Sequence, residues 1–264
     1  MVKSSHEEKP DKSTGAANPS RRTFLRRSIP LVPATLAAAS GAGAVAVASS
    51  AANHLPEVPG PRVDPQLGAA ASYTPSFFSA DEYRFLQAAV ARLIPNDDRG
   101  PGALEAGVPE FIDRQMNSPY ATGTLWYMQG PFVPDAVPEM GYQLKLTPRE
   151  LYRLGIAAAN SWCQKALGKP LADLPAAEQD KALAAMEKGI NGFGSLPSAT
   201  FFSLLLTNTR EGFFSDPLHG GNKGMVGWTL IGFPGARADF MDWIERDEKY
   251  PLPPVSIHGV RAKG

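Results

Sequence analysis

The sequence has one cysteine and four histidines, and this scarcity limits the chemistry that the chain can carry alone. With Cys163 as its only cysteine, the chain cannot form an internal disulfide, attach haem through Cys-x-x-Cys-His or hold an iron–sulfur cluster by itself. The histidines stand at positions 6, 54, 219 and 258, and no two have the His-x-x-x-His spacing that mounts zinc on a helix face. We therefore expect no metal or haem site in this chain.

The sequence also lacks an excess of either charge. It contains 26 Lys and Arg residues and 26 Asp and Glu residues. Residues 1–52 are basic, with seven Lys or Arg against three Asp or Glu, so the remainder is mildly acidic. A mildly acidic body does not have the excess of Lys and Arg that is typical of a nucleic-acid-binding protein. The hydrophobic fraction of 43% is ordinary for a globular protein with a core.

Residues 1–52 have the three-part pattern of an export signal. A polar stretch, for which we expect disorder, precedes Arg21 and Arg22, which are followed at once by Thr23, Phe24 and Leu25. Residues 28–52 contain no charged side chain and are rich in Ala, Gly and Ser. Paired arginines before a mildly apolar stretch predict export through the twin-arginine translocase, which carries folded proteins.

A retained membrane anchor is the alternative for this leader, because the uncharged run is long enough to span a bilayer. Pro30, Pro33 and the small residues make it a poor anchor. Residues 41–46 match the G-x-G-x-x-A dinucleotide fingerprint, but we assign no cofactor to them because an export signal supplies no strand before them and no helix after them. Residues 53–77 are proline-rich and predict an extended linker.

Capping signals and apolar periodicity predict a single, compact, all-α domain over residues 78–257, followed by a tail at 258–264. No segment shows the two-residue alternation of β-branched side chains that is typical of strands. Capping boxes at 79–82 and 147–150 mark two helix starts. A stripe of Leu151, Leu154, Ala158, Trp162 and Ala166 predicts the buried face of the second of these helices, with Cys163 in the core. The predicted helices span 80–94, 110–116, 148–167, 176–188, 200–209 and 236–245.

Two loops interrupt the helices. Residues 119–146 form a long segment of Gly and Pro with interleaved aromatics, including Trp126 and Phe132. Residues 213–234 contain His219-Gly220-Gly221-Asn222, a turn that brings bare backbone close to another group, and Trp228 and Phe233 beside loop glycines. Such a loop can bind a ligand, dock a protein or pack into the core.

Residues 227–235, with Trp228, Phe233 and Pro234, and the tail Pro251-Leu252-Pro253-Pro254-Val255-Ser256-Ile257 resemble the gluconate 2-dehydrogenase subunit 3 family. The resemblance implies a heterotrimer with an FAD-containing large subunit and a multihaem cytochrome c subunit. It also implies that this chain binds no cofactor and catalyses nothing, but is needed for maturation and export of the flavoprotein. The expected location is the periplasm, with inner-membrane association through the partners.

The candidate residues form two groups. Arg21, Arg22, Phe24 and Leu25 are expected to form the export signal. The candidates for contact with a partner are His219, Gly220, Gly221, Asn222, Trp228, Phe233, Pro234, Trp126 and Phe132. No residue is predicted to be catalytic or to bind a metal.

Two other functions stay open from the sequence. The chain could be a free-standing periplasmic enzyme that uses His219 with a carboxylate, although no nucleophile or second histidine lies near it in sequence. It could also be a membrane-tethered binding protein that keeps its leader as an anchor. These alternatives differ from an accessory subunit in whether the isolated chain turns over a substrate or needs detergent without partners.

Overall fold

A computed structural model describes residues 73–125, 128–133 and 136–262, and this described part is helical. Its α-helices are α1 (Ala80–Leu93), α2 (Val108–Gln115), α3 (Pro148–Leu167), α4 (Ala176–Lys188), α5 (Ser198–Phe214) and α6 (Val226–Ile231). Short 3-10 helices lie at Pro138–Met140, Leu171–Asp173, Pro217–His219, Lys223–Met225 and Ala238–Trp243. Within the described ranges, extended pairing is limited to isolated bridges such as Gly235 with Val255. The predicted all-α class is confirmed.

Local sequence signals set the starts of α1 and α3. At α1 the Ser79 hydroxyl accepts a hydrogen bond from the Glu82 N–H, and the Glu82 carboxylate accepts one from the Ser79 N–H at 2.8 Å. Thr147 and Glu150 repeat this reciprocal arrangement at α3, with Pro148 at its first position. Each capping box satisfies N–H groups that the helix itself cannot pair. Both predicted capping boxes are therefore confirmed.

Helix α5 lies at the centre of the fold, because it contacts α1, α2, α3, α4 and α6. Its Phe201 is fully buried, with ring centroids 6.1 Å from both Phe85 of α1 and Tyr152 of α3. Gly155 of α3 allows this approach, since a Cβ there would lie 2.1 Å from the Phe201 ring. Aromatic packing around a bare helix position thus joins α3 to α5.

The bounds of α1 and α2 differ from the prediction by one or two residues, and three other segments differ more. Helix α5 extends beyond the predicted 200–209 at both ends. The predicted helix at 236–245 is instead a 3-10 segment, Ala238–Trp243. Helix α6 lies inside the predicted loop 213–234, where glycines on both sides of Trp228 masked the short apolar run.

The buried face predicted for α3 is confirmed at Leu151 and Cys163 and wrong at Leu154 and Ala166. Leu154 is 40% exposed and Ala166 is exposed, whereas the core-facing side chains of α3 include Leu151, Tyr152, Ile156, Ala159 and Cys163. Gly155 also faces the core, where the ring of Phe201 fills the space above it.

Asp113 of α2 binds the segment that leads into α1. This fully buried carboxylate accepts hydrogen bonds from the Tyr73 hydroxyl at 2.7 Å, from the Ser76 N–H and hydroxyl, and from the N–H groups of Phe77 and Phe78. Burial opposes its negative charge, but these hydrogen bonds outweigh that effect and hold the pKa of Asp113 below its usual range. Residues 73–78 are therefore fixed to α2.

The predicted division of the chain into 1–52, 53–77, 78–257 and 258–264 stays a prediction. Residues at both ends of the described part nevertheless contact the helical body: Ser76 binds Asp113, and the N–H of Ala262 donates to Pro254 O at 2.9 Å. The leader lies outside the described residues. Among the helices that the structure does describe, none is both long and apolar enough to cross a membrane.

Candidate functional site

Residues 215–236 follow α5 and contain most of the loop 213–234 that the sequence singled out. Its first part is tied to α2 by Glu110, which is almost fully buried. The Glu110 carboxylate forms ion pairs of 2.5 Å with Lys223 of this region and with Arg114 on its own helix. The Lys223 backbone N–H also donates to Ala106 O at 2.9 Å. These contacts fix where the segment lies.

The His219–Asn222 turn brings bare backbone close to a neighbouring group, as predicted. That neighbour is α5 of the same chain, because a Cβ on Gly221 would lie 2.2 Å from Gly212 O. Asn222 is buried at a positive φ of 46°, where its amide donates to Ser215 O and accepts from the Gly227 N–H at 2.8 Å. Asparagine tolerates this left-handed backbone conformation better than most residues do. The side chain of Asn222 thus closes the turn.

Trp228 on α6 anchors the second half of the region. It is 6% exposed, lies in a small apolar cluster with Met225 and Ala262, and donates its indole N–H to Phe214 O at 2.7 Å. The ring of Phe233 meets it edge to face, with centroids 5.1 Å apart. This is a favourable aromatic geometry. Trp228 therefore acts as the buried support on which the partly exposed Phe233 rests.

The family of the helical body follows from a match to a protein-family model. The model described as gluconate 2-dehydrogenase subunit 3 matches residues 80–235, which is more than half of the chain. The chain belongs to the gluconate 2-dehydrogenase subunit 3 family. No curated protein and no solved structure gave a match. The family match ends at Gly235, so the similarity of the tail 251–257 stays a prediction.

The structure divides the candidate interface residues of this subunit 3 chain into two classes. Gly220, Gly221, Asn222, Trp228 and Pro234 are buried and pack within the region. His219 is exposed, and Phe233 is 45% exposed. Partner contact by any of them stays a prediction. The export-signal residues Arg21, Arg22, Phe24 and Leu25, and the interface candidate Trp126, lie outside the described residues.

Phe132 belongs to a separate surface on the loop of residues 119–146. It is half-buried, and the Lys145 ammonium lies 6.0 Å from its ring centroid. An open cleft of about 500 Å³ is lined there by Phe132, Val133, Met140 and Tyr142, among others. Burial raises the pKa of Tyr142 to about 12, so its hydroxyl remains protonated and donates to Leu146 O at 2.5 Å. This apolar loop surface is distant in sequence from residues 215–236.

Sequence reasoning missed Asp216, which joins this region to the C-terminal tail of the subunit 3 body. Its carboxylate accepts hydrogen bonds from the N–H of Leu218 at 3.0 Å and from the N–H of Ile257 at 2.8 Å. The bond from Leu218 has a sequence signal, because an Asp side chain commonly accepts a hydrogen bond from the backbone N–H two residues further along a turn. The bond to Ile257 spans 41 positions and has no such signal.

Two polar side chains of the described part, those of Cys163 and Asn208, lie in the core. Cys163 is buried, and burial raises the pKa of its thiol to about 11, as befits a core residue. Asn208, also buried, bonds to the hydroxyls of Tyr152 and Tyr120. Among the described residues, no group of three or more His, Cys, Asp or Glu side chains could hold a metal ion. That the whole chain binds no cofactor stays a prediction.

Proposed function

We propose that this chain is a non-catalytic accessory subunit of a periplasmic, FAD-dependent sugar or sugar-acid dehydrogenase. The match of residues 80–235 to a family of dehydrogenase subunits is the observation that carries the proposal. The role fits a body whose buried polar groups, such as Asp113 and Asn222, bond to the chain itself. We propose two partners, an FAD-containing large subunit and a multihaem cytochrome c subunit.

The leader gives the accessory subunit a second role in the proposal. A flavoprotein acquires FAD in the cytoplasm and must then leave the cell interior folded. Arg21 and Arg22 before Phe24 and Leu25 match the signal for the translocase that carries folded proteins. One signal on this chain can therefore export the bound flavoprotein as well, and the complex associates with the inner membrane through its partners.

The export role is tested by changing Arg21→Lys and Arg22→Lys together and following the flavoprotein by cell fractionation. We expect the flavoprotein to remain in the cytoplasm, because the translocase reads the arginine pair. A matched control changes Arg26→Lys and Arg27→Lys, which keeps the same total charge and leaves the pair intact. Normal periplasmic dehydrogenase activity in the Arg21 and Arg22 variant contradicts the export role.

The accessory role is tested by purifying a tagged chain from cells that express the whole gene set. We expect flavin and haem absorption to co-purify with the tag. The isolated chain should show neither absorption and no dehydrogenase activity. Substrate turnover by the isolated chain contradicts the proposal and supports a free-standing enzyme.

A further inference from the structure

Exposed apolar side chains are concentrated in one part of the described chain. More than half of the large hydrophobic residues that remain well exposed lie between positions 218 and 257. They are Leu218, Ile231, Phe233, Met241, Ile244, Leu252 and Ile257. Single exposed apolar residues are ordinary on a protein surface, but a concentration of them is not.

Hydrogen bonds hold the segments that carry four of these side chains next to one another. The Asp216 carboxylate joins the backbone of Leu218 to that of Ile257. The Val255 N–H donates to Pro234 O at 3.1 Å, directly after Phe233. We call Leu218, Phe233, Leu252 and Ile257 the C-terminal apolar surface.

This surface is held in place before any partner arrives. Phe233 packs on buried Trp228, whose indole N–H is fixed to Phe214 O. The Arg237 guanidinium donates to Pro253 O at 3.0 Å, next to Leu252. Side chains that are already ordered lose little conformational entropy on binding, which favours them as interface anchors.

An acidic segment connects Phe233 to Leu252 of the C-terminal apolar surface along the chain. Residues 238–250 carry five carboxylates and two basic side chains, and all five carboxylates belong to exposed residues. The two ends of the segment are joined by the Tyr250 hydroxyl, which donates to Asp239 at 2.5 Å. Met241 and Ile244 lie exposed among these charges. An apolar centre with a charged border is typical of a protein interface.

We propose that the C-terminal apolar surface binds the flavoprotein subunit, through an apolar patch on that subunit bordered by Lys and Arg. This inference rests on the proposed function, which supplies the partner. Charge selects a different protein as the occupant rather than a second copy of this chain. In a symmetric dimer both copies would bring the acidic excess of residues 238–250, five carboxylates against two basic side chains, to one interface, and this like charge opposes their association.

The decisive experiment co-expresses tagged chain and flavoprotein and measures flavin retained after a tag purification. We expect Phe233→Glu combined with Ile257→Glu to lower the retained flavoprotein at least tenfold. The matched control is Leu154→Glu, an exposed leucine on α3, which should retain as much as the unchanged chain. Thermal unfolding of each purified variant confirms that the helical body still folds.

A second variant tests the charged border without touching the apolar centre. Asp242→Lys with Glu245→Lys should slow association several-fold at low salt and flatten its dependence on salt, since these exposed charges steer the encounter. An unchanged rate and salt dependence overturn the basic border proposed for the partner. This variant also keeps the test informative if Phe233→Glu unfolds the chain.

The outcomes separate this inference from the function on which it rests. If the unchanged chain retains no flavoprotein, the proposed function fails. If it retains flavoprotein and the Phe233 and Ile257 variant retains as much, only the surface assignment fails. If the isolated chain is a dimer that this variant converts to a monomer, the occupant is a second copy and the inference is overturned.

Discussion

Asp113 is the residue that binds the segment 73–78 to α2. Its carboxylate accepts five hydrogen bonds, three of them from the consecutive backbone N–H groups of Ser76, Phe77 and Phe78. Few buried carboxylates are stable unless bonds of this kind replace the lost water. The residue is therefore a sensitive point for stability.

We expect Asp113→Asn to lower the free energy of unfolding by about 3 kcal/mol, because an amide cannot accept from every donor and some stay unpaired. Urea unfolding at pH 7 measures the change. Asp173→Asn is the control, since Asp173 is a partly exposed partner of Arg84 and should cost less than about 1 kcal/mol. Equal losses in the two variants contradict the role given to Asp113.

The pH dependence of stability provides a separate test of Asp113. Its pKa is lower in the folded state than the unfolded value of about 4, so its charge stabilises the fold above that pH. This contribution disappears as the pH falls through the lower, folded-state pKa. We expect Asp113→Asn to have a flatter decline in unfolding free energy below about pH 4 than the unchanged chain. Parallel declines are the contrary result.

Cys163 offers a chemical probe of the core. Burial raises its thiol pKa to about 11, so the reactive thiolate is scarce at pH 8 and the sulfur is out of reach of solvent. We expect a thiol reagent to label the folded chain at the rate at which the core opens, and to label the chain in denaturant at once. Rapid labelling of the native chain at pH 8 would show that Cys163 of α3 is accessible to solvent rather than buried.

At the scale of elements, the contact of α3 with α5 depends on Gly155. Alanine in a helix is usually more stable than glycine by about 1 kcal/mol. Here a Cβ would lie 2.1 Å from the ring of Phe201, which is fully buried and cannot move aside. Overpacking of this kind costs about 1–3 kcal/mol or more, so the clash outweighs the gain.

We therefore predict that Gly155→Ala lowers the unfolding free energy by about 2 kcal/mol, measured by urea unfolding. Ser161→Ala, at an exposed position of the same helix, should change it by less than about 0.5 kcal/mol. A Gly155→Ala chain more stable than the parent would mean that helix propensity decides this position.

The elements also show which parts of the fold are readable from sequence. Helices α3 and α4 have the predicted bounds because Thr147, Gly168 and Gly189 mark their ends locally. The 3-10 segment at Ala238–Trp243 has helical apolar spacing, but its N-cap residue, Arg237, gives no side-chain capping bond. Its position depends instead on the bond between Asp239 and Tyr250 and on the bond from the preceding Arg237 to Pro253 O, which local patterns do not reveal.

The candidate site shows the same limit. The glycines of the His219–Asn222 turn predicted a close approach of backbone, and the structure has one. That Gly221 approaches α5, and that Trp228 is buried, depends on contacts between separate segments. Glu110 and Asp216, which tie the site to the rest of the fold, lie in no motif that identifies their partners.

For the molecule as a whole, the position at which the folded body begins is open to direct test. A chain that starts at Phe78 lacks the Tyr73, Ser76 and Phe77 bonds to Asp113 and leaves that carboxylate underpaired. We expect it to be less stable by about 3 kcal/mol than a chain that starts at Ser72. Thermal unfolding of the two purified chains makes the comparison. Identical midpoints would assign residues 73–77 to the linker.

The hydrogen bonds of Asp113 have a mechanical consequence. Any tension on the chain upstream of Tyr73 reaches the folded body first at this carboxylate, where several bonds share it. From there the tension passes to α2, whose Glu110 is paired with Lys223. A force applied from the amino-terminal side therefore acts first on the hydrogen bonds of Asp113 and on the ion pair of Glu110, before it acts on the aromatic side chains packed around Phe201.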